Sequence, residues 1–95
     1  MIKPTIHLNG SDPVRLKELY WEAQHALGEA LRKIHEAWPN ARDYYPQGDG
    51  AYEKARAEEE ERIRAAKRLQ EEYMALYEHC EDAVHEREER QKARR

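Results

Sequence analysis

Phenylalanine is absent from this chain, cysteine occurs once, and glycine and proline occur four times each. The lone Cys80 excludes an internal disulfide framework and suits a reducing compartment. No stretch approaches the length of a transmembrane helix, and Met1 to Gly10 has no apolar segment of the secretory kind. A soluble, cytoplasmic protein without a membrane partner is therefore expected. A dominant charge sign is lacking too. A formal net charge of −3 suits neither a wholly basic nucleic-acid binder nor a strongly acidic mimic of one, so no long nucleic acid is expected as partner.

Recognisable catalytic patterns are equally scarce. There is no phosphate-binding glycine loop, no H-E-x-x-H, and no Ser or Cys beside an orienting His in a known motif. His79, Cys80 and His85 do not share a three- or four-residue spacing as a set, so one helix face cannot offer them together to a metal. No catalytic residue, no cofactor and no metal are expected. Asp43 and Asp49 remain as the only loop carboxylates on which acid–base chemistry could rest.

What the chain does contain is charge and alanine. Charged residues make up 39% and hydrophobic residues another 39%, much of it Ala, which buries little area. A short chain has much surface for its volume, so a core built from scattered Leu, Ile, Tyr and Trp is sparse. Long solvated helices that share a core with further copies fit this composition better than a closed monomer. A homo-oligomer is expected.

Residues 1–11 form an arm. Ile2, Ile6 and Leu8 alternate with polar residues, while Pro4 restricts the segment to an edge strand or an extended arm. With no second strand available, it pairs with another copy or lies along the helices. The first helix is expected over 12–38, with Asp12 as N-cap and Pro13 at the first helical position. Leu16, Leu19, Tyr20, Ala23, Leu27, Ala30, Leu31, Ile34 and Trp38 recur at steps of three and four, an amphipathic stripe ended by Pro39. A loop over 39–50 follows, and the second helix is expected over 51–90. Its seam is Ile63, Ala66, Gln70, Tyr73, Tyr77, Cys80 and Val84, widened by Leu69 and Leu76 into a surface for two neighbours. Acidic residues near its start and Arg90, Lys92, Arg94 and Arg95 near its end complement the helix dipole, and the last residues are expected to be frayed or solvated. The fold class is all-α, an antiparallel helical hairpin with an extended N-terminal arm, as one domain.

The loop W-P-N-A-R-D-Y-Y-P-Q-G-D-G, Trp38 to Gly50, is longer than a connector between antiparallel helices requires. Two readings compete for it. Adjacent Tyr44 and Tyr45 could staple it to the helix ends. Alternatively, a tyrosine ring stacks on a nucleobase, Arg42 grips a phosphate with its fork, Gln47 reads a base edge, and the start of the second helix offers free N–H groups.

Two stretches, I-H-L-N-G-S from Ile6 to Ser11 and R-D-Y-Y-P-Q-G from Arg42 to Gly48, resemble a family of small phage-encoded helical proteins with I-H-L-N-G-[ST] and R-D-Y-Y-P-Q-G motifs. In size and plan the chain is also similar to phage anti-defence proteins that act as sponges, burying cyclic oligonucleotides or cyclic ADP-ribose derivatives between subunits. The motifs of that second group are absent, so the similarity is architectural. It implies a non-enzymatic oligomer that sequesters a small phosphate-containing nucleotide, with Arg42, Tyr44, Tyr45 and Gln47 from the loop and His7 and Asn9 from the arm as ligand-binding residues. Under the alternative, the chain is a structural or adaptor protein that docks on a protein partner through its long second helix.

Overall fold

The computed structural model describes residues 1–94, so the expected contribution of Arg95 to the basic end lies outside the described residues. These residues form two long helices joined by a short one, with no strand. Helix α1 spans Pro13–Glu36. The Asp12 carboxylate accepts the Val14 N–H at 3.1 Å, and Pro13 supplies no N–H to orphan. At the other end α1 stops two residues short of Trp38. The Ala37 N–H bonds to the carbonyls of Lys33 and Ile34, closing the last turn, while Pro39 bars its predecessor from the helical region.

The connector is not irregular, as expected, but contains a 3-10 helix over Ala41–Gln47. The Asn40 side chain caps it by accepting the Arg42 N–H at 3.0 Å. Gly48, at φ 95°, ends it with its N–H on the Tyr45 carbonyl, a conformation that a Cβ would strain. Gly50, at φ 82°, turns the chain into α2, Ala51–Ala93. This helix stays regular past the expected end near residue 90. Residues 85–94 are exposed throughout. Arginines pair with the Glu58–Glu61 run: Arg62 lies 2.9 Å from Glu59, which is largely covered, and Arg64 2.9 Å from the exposed Glu61. The Arg64 hydrogen bond, helped by Arg64 and Arg68 charge, keeps the Glu61 carboxyl below its ordinary range.

The two long helices pack antiparallel. The Tyr20 and Tyr73 rings meet at 6.1 Å, and Gln70 donates a 3.3 Å hydrogen bond to the Gln24 carbonyl. Gly28 makes room for that amide, because a Cβ there would lie 3.0 Å from Gln70 Nε2. Leu31, Ile63, Cys80 and Val84 are buried, with Cys80 fully enclosed, and Pro13 is buried at the start of α1. Most of the stripe predicted for α1 is only half covered, and Leu19 and Trp38 stay 42% and 37% exposed. A single hairpin has one facing line per helix, which is too little to enclose both flanks. The molecule measures 72 × 21 × 19 Å, with a radius of gyration of 20.5 Å. A compact domain of this length would have about 12 Å.

Register explains the length. Each step toward the start of α1 moves one step toward the end of α2, so the Tyr20–Tyr73 contact brings Pro13 level with Cys80. Beyond Cys80, α2 overhangs its partner. The N-terminal arm runs in extended form beside the start of this overhang: in the last shared turn, His79 Nε2 donates to the Pro4 carbonyl at 2.6 Å, and Ile6 is half-buried.

Candidate functional site

The 3-10 helix sorts the loop residues by its period. Three residues per turn place positions i and i+3 on one face. Ala41 and Tyr44 face inward and are half-buried; Tyr44 packs its ring 6.3 Å from that of Tyr52 at the start of α2. Arg42 and Tyr45 share the outward face, where Tyr45 is 71% exposed. The two competing readings of the tyrosine pair thus divide between its members. Tyr44 fastens the turn to α2, and Tyr45 is free to stack. A second fastening joins the loop's flanks, with the Arg56 guanidinium 6.0 Å from the centre of the Trp38 ring.

Gln47 is exposed at the end of the 3-10 helix. Immediately after it, Gly48 and Gly50 lead into α2, whose start has no side-chain cap. A planar ring, a guanidinium fork and an uncapped helix start therefore lie within a few residues of one another. The arrangement can stack on a flat ring and hold an anion beside it. Asp43 is exposed, with no second acid bonded to it among the described residues.

His7 and Asn9 are elsewhere. The arm precedes α1 and the loop follows it, and the 24 residues of α1 separate them by about 36 Å at 1.5 Å per residue. His7 and Asn9 sit at the open end of the hairpin, in a turn closed by the Gly10 N–H on the His7 carbonyl at 3.1 Å. One chain does not bring the six expected ligand residues together; Arg42, Tyr44, Tyr45 and Gln47 form one cluster, and His7 and Asn9 another. A site using all six needs two chains.

A cavity of about 750 Å³ lies at that open end, between the arm and the last turns of α2. Lys3 and His7 line it from the arm, and His79, Arg87 and Arg90 from α2. Sequence reasoning missed the α2 residues. Their spacing carried a signal, since 79, 83, 87 and 90 follow steps of four and three along one face. What was missing was the position of the arm over that face.

Among the described residues, no three His, Cys, Asp or Glu side chains converge as a metal site. No helix is long and apolar enough to cross a membrane. The chain matches no family model, no curated protein and no solved structure.

Proposed function

We propose that this chain is a non-enzymatic phage anti-defence protein that binds and sequesters a nucleotide-derived immune signal, of the cyclic oligonucleotide or cyclic ADP-ribose type. Binding alone carries the function, because a sequestered signal does not reach its receptor. The observation that supports this reading is the outward pair Arg42 and Tyr45, displayed on one face of a capped 3-10 turn while Tyr44 holds the turn in place. A loop that only joined two helices would have no use for a rigid aromatic and a guanidinium turned to solvent. The working form in this proposal is a homo-oligomer, in which His7 and Asn9 of one copy complete the loop site of another.

An apolar flank supports self-association. Leu16, Leu19, Ala23, Ala30 and Ile34 lie on one flank of α1, and Leu69 and Leu76 on the same flank of α2. In antiparallel helices, equal rotations away from the facing line lead to the same side. Leu19 and Leu69 are 42% and 43% exposed there. A twofold axis level with His25 would set Trp38 of one copy beside the partner subunit's Asp12, since each lies 13 residues from it. Loop and arm would then meet.

A thermal-shift panel of cyclic dinucleotides, cyclic trinucleotides and cyclic ADP-ribose isomers tests the proposal, because a tight ligand raises the melting temperature by mass action. Arg42→Ala should weaken binding by about 1.5–3 kcal/mol through loss of a charge-assisted bond. Tyr45→Ala should cost about 1–3 kcal/mol and Tyr45→Phe far less, since stacking uses the ring. A wild-type melting curve unmoved by the whole panel would favour the alternative, an adaptor docking through α2. That reading draws on the overhang of the 43-residue α2 beyond α1.

A further inference from the structure

We propose that the cavity between the N-terminal arm and the overhanging end of α2 is a second binding site, for a compact phosphate-bearing anion such as a diphosphate or triphosphate group. The cavity uses no loop residue, and of the residues assigned to the oligomeric site it shares only His7.

The groove exists because α2 outruns α1. Past Cys80 no residue of α1 lies opposite, so the facing stripe of α2 is available to the arm alone. The arm does not fill the groove. It is pinned at one point by the His79–Pro4 bond and leaves about 750 Å³ beside it, within the range of small-molecule sites.

The lining carries an excess of positive charge. Lys3, Arg87 and Arg90 line the cavity against Asp12 and Glu86, with His7 beside them, while His79 is engaged with the Pro4 carbonyl. Both acids are engaged. Asp12 accepts the Val14 N–H as the α1 cap, and Glu86 lies 3.8 Å from Arg90. Arg87 and Lys3 have no ion-pair partner among the described residues. They line the cavity from different elements, Lys3 on the arm and Arg87 on α2. Two unpaired cations on one solvent-open groove repel each other, and an anion bound between them relieves that repulsion. A phosphate group is suited to that place, because its oxygens accept the guanidinium fork on one side and the ammonium on the other.

Isothermal titration of the full chain with inorganic pyrophosphate in low-salt buffer tests the site. Wild type should bind, with affinity falling as salt is raised, because the contacts are exposed charge pairs. Arg87→Gln and Lys3→Gln should each weaken pyrophosphate binding about tenfold or more, and Arg87→Lys should restore part of it. Lys67→Gln, an exposed change in the middle of α2 away from both clusters, should bind as wild type. Circular dichroism of each variant confirms that helix content is kept, as expected for exposed side chains. Absence of heat with wild type, or equal binding by Arg87→Gln, would overturn the proposal. So would loss of binding in Arg42→Ala alone, which would assign the anion to the loop.

Discussion

Cys80 is the one fully enclosed side chain, and burial raises its thiol above the ordinary value of 9.0. Burial also raises Tyr20, with smaller contributions from Cys80 and Tyr73. Both groups favour their neutral form in the folded chain. The stability they confer is fully present below their unfolded values and is lost as pH rises through the folded ones. Melting temperature should therefore fall as pH rises past the ordinary thiol value of 9.0, and Cys80→Ala should lose less over the first part of that rise. Equal losses in the two proteins, followed by circular dichroism, would show that the thiol has no part in it. A second prediction concerns the Gly28–Gln70 pair. Alanine in a helix interior gains about 1 kcal/mol over glycine, but here its Cβ would press on the Gln70 amide and disturb the bond to Gln24. Gly28→Ala alone should be close to neutral. In a Gln70→Ala background it should stabilise by about 0.5–1 kcal/mol, read from denaturant midpoints as a double-mutant cycle.

At the scale of elements, the 3-10 helix is the part that local sequence chemistry controls most directly. Asn40 starts it and Gly48 stops it. Asn40→Ala should cost about 1 kcal/mol through the lost cap, and the loss should fall on the loop. Hydrogen exchange at Arg42 to Gln47 should accelerate while the centres of α1 and α2 stay protected. Uniform acceleration would mean that the turn is held by packing on α2 and not by its cap. The core positions behave differently. Leu31→Ala should lower global stability by about 2–5 kcal/mol, since Leu31 is the buried leucine of α1.

For the whole molecule the decisive quantity is the uncovered flank. A radius of gyration of 20.5 Å and half-exposed Leu19 and Leu69 describe a hairpin that encloses little. Leu19→Glu and Leu69→Glu should reduce the mass of the assembly in light scattering, while helix content persists because neither residue is in the hairpin interior. A monomer mass for wild type at micromolar concentration would remove self-association from the proposed function.

The hairpin plan was legible in the chain itself, because its signals are local. Asp12-Pro13 starts a helix, Pro39 ends one, Gly48 and Gly50 allow positive φ, and steps of three and four mark which face turns inward. The seam through Ile63, Cys80 and Val84 was legible for the same reason. The 3-10 helix was not read, because Pro46 and two glycines argue against the longer α-helix and say nothing of a tighter one. Nor could sequence divide Tyr44 from Tyr45, since that depends on a period of three and on Tyr52 arriving from the next helix. The place of the arm was beyond local signals altogether. Whether Ile2, Ile6 and Leu8 seek a strand or a helix depends on what lies within reach. Only the relative lengths of α1 and α2 in their packed register left the end of α2 beyond Cys80 open to the arm, with His79 in the turn before it holding Pro4. The 24 residues of α1 separated His7 and Asn9 from Arg42 and Tyr45, and the overhang opened the groove lined by Lys3 and Arg87.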